Sequence, residues 1–286
     1  MSIAVRCIVD GMSKLNFSMN KDVRDFKTVD VCYQYDGSFY GMLSCVFESF
    51  EKKEIPLQVT CDDFSLFNIK YIQTDEIKAE RILASIPQKI NRRTLDYVKC
   101  SYLANIKAKE IALIHFLREG YKRGKRYIDV INTGFSPSRT IVAGALENDF
   151  AAKIQKGVDL LALEAHRFVQ FIRFSDVGGA LVGIIEPEHN VLPLMVEHFT
   201  DRYPNENFLI YDKNRQFGLI YTDRQVRIEH LESYQLPALS QEEKNYQNLW
   251  RLFYDTVAIK ERRNERCRMN FMPKKYWKNM TEFLNN

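Results

Sequence analysis

FVQFIRFSDVGGALVGII, residues 168–185, is where the chain changes character. Two β-rich runs, Phe168–Phe174 and Leu181–Ile185, flank Asp176-Val177-Gly178-Gly179, and a glycine pair between such runs reads as a hairpin. After a break at Pro187–Asn190, the residues Leu192, Met195, Val196 and Phe199 recur at helical spacing, with Pro193 tolerated in the first turn. Three more strand runs follow, Phe208–Tyr211, Phe217–Tyr221 and Val226–His230, joined by polar turns. The order β-β-α-β-β-β with short turns predicts an antiparallel sheet with a helix on one face, and implies no dinucleotide-binding unit.

Upstream the pattern is mostly helical. A strand run, Val31–Tyr35, stops at Asp36-Gly37. Phe39, Met42, Leu43, Val46, Phe47 and Phe50 then mark one buried helix face capped by Ser38. Pro56 ends that segment, Phe67–Ile72 reads as a strand, and Thr74-Asp75 caps a helix running toward Ile90. One long helix is expected over Leu95–Glu119, stopped by Gly120. Asn132–Pro137 reads as a loop, with helical pattern resuming to about Glu164. Near the end, Ser240 and Glu243 form a capping box, and Tyr246, Leu249, Trp250, Phe253 and Val257 are expected to be the buried stripe of the last long helix. The expectation is an α+β protein: a mainly helical lobe over residues 1–165, and an antiparallel sheet lobe over residues 166–286 closed by a basic C-terminal helix and tail.

Composition sets limits on function. With 45% hydrophobic and 27% charged residues among 286, the chain has the balance of a globular protein. Arg6 and Asp10 interrupt what would be the apolar core of a signal peptide, and no run approaches the roughly 20 apolar residues of a membrane span. A cytoplasmic protein is expected. Cys7, Cys32, Cys45, Cys61, Cys100 and Cys267 are scattered, without a C-x-x-C pair or histidines at zinc spacing, so reduced thiols are expected and neither a metal nor a cofactor is called for.

The formal net charge of +4 conceals an uneven distribution. From Lys89 to Arg126, eleven Lys/Arg stand against Asp96, Glu110 and Glu119; from Lys244 to Lys278, ten stand against Asp255, Glu261 and Glu265. Two basic segments lie in an otherwise acidic chain, as a phosphate-binding surface requires. The expected contacts are Arg92, Arg93, Lys122, Arg123, Lys125 and Arg126 in the first segment. In the second they are Arg262, Arg263, Arg266, Arg268, Lys274, Lys275 and Lys278, with Tyr276 and Trp277 available to stack on bases. The plainer alternatives are solvated helix faces, and aromatic rings that pin the C-terminus to the core.

A set of motifs, in order along the chain, resembles successive blocks of a bacterial family described as DNA metabolism or repair proteins. They are Tyr35-Asp36-Gly37-Ser38-Phe39 with Gly41 and Leu43, Phe47-Glu48-Ser49 with Lys53-Glu54, and Thr74-Asp75 with Lys78-Ala79. Glu164 with His166-Arg167, Phe171 with Arg173-Phe174, Leu192-Pro193 with His198-Phe199 and Arg202, and Tyr211-Asp212 with Arg215 continue the series. Met272-Pro273 and Tyr276-Trp277-Lys278-Asn279-Met280-Thr281-Glu282 close it. The resemblance implies a role in DNA modification or repair beside a radical S-adenosylmethionine (radical-SAM) protein. Some members carry a fused uracil-DNA-glycosylase-like domain. The glycosylase motif Gly-Gln-Asp-Pro-Tyr-His does not occur in this sequence, and a chain without a cysteine triad is not read as the radical enzyme.

Two classes of function follow. One is a DNA-binding accessory protein using the basic segments, or an adaptor for the radical-SAM partner. The other is an enzyme acting on a damaged base, with Glu164, His166 and Arg173 gathered in a cleft to hold a phosphate or move a proton. His198, Asp201 and Arg202 share a helix face but lack further ligands at metal spacing, so a structural role is expected there.

Overall fold

The computed structural model describes residues 26–62, 65–126, 128–131, 139–142, 149–232, 234–235 and 237–283. These fall into two compact units, residues 26–161 and residues 162–283. The Asn132–Pro137 loop lies outside the described residues.

The first unit begins with β1 (Lys27–Gln34), α1 (Phe39–Lys52), β2 (Glu54–Thr60) and β3 (Asn68–Tyr71). The three strands make a parallel sheet in the order β2-β1-β3. β2 runs through Pro56, where the sequence predicts a stop. Proline is tolerated there because β2 is an edge strand. α1 starts where expected, with the Ser38 hydroxyl accepting from the Gly41 amide at 2.9 Å. Gly41 is required by packing: a Cβ there would lie 2.2 Å from Asp36 Oδ1 and 2.8 Å from Thr74 Oγ1. Asp36 in turn accepts from Ser38 Oγ (2.6 Å) and Thr74 Oγ1 (2.7 Å), so the Asp36-Gly37-Ser38 motif ties the start of α1 to the loop after β3.

α2 (Glu76–Lys89) is capped by Asp75, as expected. The single helix expected over Leu95–Glu119 is two, α3 (Arg92–Leu103) and α4 (Lys109–Arg123), separated by a break in which Ala108 has φ 50°. No Gly or Pro marks the break. Tertiary packing makes it, by seating Ile106 where a Cβ on Gly157 would lie only 2.2 Å from Ile106 Cδ1. Gly120 does not stop α4; it is buried within the helix, which ends at Gly124 (φ 67°, ψ −143°). β4 (Ile128–Ile131) and β5 (Arg139–Val142) pair antiparallel. Helices α1, α2, α3 and α4 enclose a core containing Tyr33, Met42, Leu43, Ile82, Ile86, Leu113 and Phe116.

α5 (Asp149–Phe171) contains the division between the units, at Leu161 and Ala162. Its buried positions Ile154, Val158, Leu161, Ala165 and Phe168 keep helical spacing, so Phe168–Phe171, expected as strand, is helix. A continuing apolar stripe overrides local β-propensity. The second unit then runs through β6 (Phe174–Val177), β7 (Ala180–Ile185), α6 (Leu192–Arg202), β8 (Phe208–Asp212), β9 (Phe217–Thr222) and β10 (Gln225–His230). The five strands lie in the order β10-β9-β8-β7-β6. The sheet is mixed rather than purely antiparallel: β7 and β8 pair parallel, Leu181 opposite Phe208, because α6 carries the chain back across the sheet between them. The remaining pairs are antiparallel, including the β6–β7 hairpin at Gly178-Gly179.

The end of the chain departs most from expectation. α7 (Gln241–Val257) is capped by Ser240, whose hydroxyl accepts from the Glu243 amide at 3.0 Å. None of its residues is buried, and Tyr246, Leu249, Trp250, Phe253 and Val257 are all exposed. It is fastened by polar groups and one ring contact: Glu243 accepts from the Asp176 amide, Gln247 donates to Ser175 Oγ, the Trp250 indole donates to Glu282, and the Tyr254 ring packs edge-on against Phe283. α8 (Glu265–Phe271) and short 3-10 turns at Lys274–Asn279 and Thr281–Phe283 complete the unit. Among the described residues, no helix is long and apolar enough to cross a membrane.

Candidate nucleic-acid interface

In the first unit, two stretches some 30 residues apart are joined by one hydrogen bond. Asn91 caps α3 by accepting from the Thr94 amide at 2.8 Å, and its Nδ2 donates to the Lys125 carbonyl at 3.0 Å. A Cβ on Gly124 would lie 3.8 Å from the Lys89 carbonyl, so the turn after α4 lies beside the end of α2. The consequence is one basic edge built from Lys89, Arg92 and Arg93 on one side and Lys122, Arg123 and Lys125 on the other. Glu119 pairs with Lys122 (3.8 Å) and Arg123 (2.5 Å). Among the described residues, no acid lies within ion-pair distance of Arg92, Arg93 or Lys125, and all three are exposed. Arg126 lies in the adjoining turn, with its side chain outside the described residues.

Lys89 was not anticipated. Its Nζ is shielded from solvent and makes no hydrogen bond, and burial lowers its pKa. Nothing local marks it in sequence, where it reads as one more cation of the basic run. The geometry also makes the edge sensitive to one backbone position. Gly124→Ala forces a side chain into a conformation that only glycine adopts readily, at a cost of about 1–3 kcal/mol. Thermal denaturation is expected to show that loss, and retention of full stability would mean that the turn relaxes freely.

The second basic segment is divided in its roles. Lys275 donates to Glu164 at 2.8 Å and Lys278 to Glu186. Arg263 and Arg268 both hold Glu265. Tyr276 is 4% exposed and packs edge-on against Phe168 at 5.0 Å, so its ring is a core anchor and not available to stack on a base. Trp277 stacks on Phe283 (4.5 Å) beneath the Arg268 guanidinium (4.7 Å) and donates its indole N–H to the Met272 carbonyl. What remains is a groove of about 1150 Å³ between the end of α7 and the C-terminal turns, walled by Trp277 and Phe283 and faced by Arg262 and Lys274. Arg266 is exposed nearby in sequence, in the first turn of α8.

The three residues expected in a catalytic cleft take separate partners. Glu164 is buried, accepting from Lys275 and from the His189 amide at 2.8 Å. Burial opposes its ionisation, but those donors prevail and hold its pKa below the usual carboxylate value. His166 lies two residues along α5 on the exposed side, where it bonds to Gln170 at 3.0 Å. Arg173 forms a paired contact with Glu282, at 2.7 Å and 3.3 Å, and donates to the Phe171 and Ile172 carbonyls. The motif residues thus build a lattice rather than a cleft. Asp212, fully buried, accepts from the amides of Asn214 and Arg215, whose side chains in turn bind the Pro187 carbonyl. That loop presents the His189 amide to Glu164, and Glu164 fixes the C-terminal turn through Lys275. Sequence reading could not find Glu282 or Lys275 as these partners, because they lie 109 and 111 residues from Arg173 and Glu164.

His198 is exposed, with its ring edge-on to Phe199. Among the described residues no three His, Cys, Asp or Glu side chains gather as metal ligands would. Cys32, Cys45, Cys61, Cys100 and Cys267 are free thiols.

Comparison with known families finds one model, described as a domain of unknown function (DUF4130), matching residues 110–282. No curated protein and no solved structure matches the chain.

Proposed function

The chain belongs to the DUF4130 family, a domain of unknown function, and from that premise we propose that it binds nucleic acid through phosphate contacts. The observation that carries the proposal is the basic edge at Lys89–Arg93 and Lys122–Lys125, where the exposed Arg92, Arg93 and Lys125 have no acid within ion-pair distance among the described residues, beside a shielded Lys89 ammonium that makes no hydrogen bond. Leaving such charge unpaired is unfavourable for the free protein and is relieved by a polyanion, which also releases its counterions. The groove at Lys274 and Trp277 supports the same reading with fewer free charges. The family resemblance supplies the context: DNA modification or repair beside a radical-SAM enzyme, with this chain as the component that holds DNA. The separate placement of Glu164, His166 and Arg173 favours this accessory role over direct base chemistry.

The test is a salt titration of binding to short labelled single-stranded and duplex DNA. Affinity is expected to fall steeply with salt. The triple variant Arg92→Ala, Arg93→Ala, Lys125→Ala is expected to weaken binding and reduce the log–log salt slope by about 2–3. Arg227→Ala, which removes an exposed cation already facing Glu229 across 3.7 Å, should leave the slope nearly unchanged. Salt-independent binding, or a triple variant with the parent slope, would remove the phosphate-contact reading.

A further inference from the structure

Nucleic-acid binding leaves the apolar face of α7 without a role. Tyr246, Leu249, Trp250, Phe253 and Val257 recur at the spacing of one helical stripe, and with Leu252 they are between 41% and 64% exposed. Single exposed apolar residues are ordinary, but six large ones on one helix form a patch of the kind that marks an interface. The adjoining side of the helix is the one engaged with its own unit, through Glu243, Gln247, the Trp250 indole N–H and the Tyr254 ring on Phe283.

We infer that this face is the contact between two copies of the chain, with the α7 helices packed antiparallel about a two-fold axis. Three features point to a second copy. About a midpoint between Arg251 and Leu252, an antiparallel pair sets Tyr246 opposite Val257 of the second copy and Trp250 opposite its Phe253, with large apolar side chains on both sides. An isologous contact requires that self-complementarity. Charge selects the same arrangement. Glu242, exposed in the first turn of α7, and Arg262, exposed just beyond its last turn, are about as far from that midpoint on opposite sides. Antiparallel packing therefore sets each copy's Glu242 near the other's Arg262, whereas parallel packing sets Glu242 beside Glu242. The size also fits: at these exposures the six side chains offer on the order of 700 Å² per copy, close to the roughly 800 Å² per partner of a standard interface.

Sedimentation velocity on the full chain at micromolar concentration tests this. The parent protein is expected at twice the chain mass, and Phe253→Glu at the chain mass with an unchanged circular dichroism spectrum. If Phe253→Glu proves misfolded, Leu252→Asp serves the same purpose at a more exposed position. Glu242→Arg and Arg262→Glu, each alone, are expected to raise the dimer dissociation constant at least tenfold, and the two together to restore it. A parent protein that sediments as a monomer, including one whose stripe is covered from within the chain or awaits another protein, overturns the inference. So does a dimer that Phe253→Glu and Leu252→Asp leave intact. A dimer weakened by both charge variants but not restored by their combination overturns the antiparallel pairing.

Discussion

Glu282→Ala is expected to lower the stability of the 162–283 unit by about 3–4 kcal/mol, the range for removing one partner of a buried ion pair. The carboxylate is only 2% exposed and takes three donors: Arg173 Nη2 at 2.7 Å, Arg173 Nε at 3.3 Å and Trp250 Nε1 at 3.2 Å. Alanine leaves the Arg173 guanidinium, itself 28% exposed, with the Phe171 and Ile172 carbonyls and the Trp250 ring face but no counter-charge among these. It also releases the indole that fastens α7, which buries no side chain of its own in the unit. Glu282→Gln keeps the shape and an acceptor, so it should lose about half as much. Urea denaturation followed by tryptophan fluorescence measures both, since Trp250 reports directly on the contact. If the alanine variant falls within 1 kcal/mol of the parent, the desolvation of the pair cancels its attraction and the lattice is not what holds the C-terminus.

The Arg173–Glu282 pair also marks the limit of what one sequence discloses. Local chemistry was legible wherever a side chain acts on its own neighbourhood. Ser38, Asp75 and Ser240 cap the helices they were expected to cap, and the strand runs from Leu181 onward fall where alternation and turns put them, although Phe168–Phe171 does not. Pairing direction was less so, because a helix inserted between two strands converts a neighbour from antiparallel to parallel, as α6 does for β7 and β8. Burial was the least legible. The stripe of α7 has the same period as that of α1, yet α1 buries Met42, Leu43, Val46 and Phe47 while α7 buries none of its own. Periodicity says which face of a helix is apolar; what covers that face is a property of the rest of the molecule, or of another one.

Charge is legible only in part, for a related reason. Counting Lys and Arg along the chain treated Lys275 and Lys278 as free, although acids from α5 and the end of β7 reach them in space. The first basic segment suffers less from this, because its 11 cations have three acids in the same stretch, and Arg92, Arg93 and Lys125 have no acid within ion-pair distance among the described residues. A basic run therefore carries weight only after its long-range partners are known.

Acidification is expected to loosen the C-terminal turns first, with Glu164 as the main cause. Burial alone would raise its pKa, but the Lys275 ammonium and the His189 amide, each at 2.8 Å, hold it below the usual value, and Lys278 does the same for the partly buried Glu186. A carboxylate whose pKa is lower folded than unfolded contributes stability that is complete above the unfolded value. That contribution is lost as pH falls through the folded one. Both groups therefore stabilise the unit fully at neutral pH and progressively less below about 4.5. Glu164→Gln is expected to cost about 2–3 kcal/mol at pH 7, the worth of charge-assisted hydrogen bonds to a buried acceptor. The discriminating measurement is the urea midpoint of parent and variant at pH 7 and at pH 3. The gap between them should narrow on acidification, since the parent's Glu164 then approaches the neutral state that glutamine mimics. A gap of constant size would mean that the charge on Glu164 contributes nothing, leaving only the hydrogen bond to the His189 amide that glutamine can also accept.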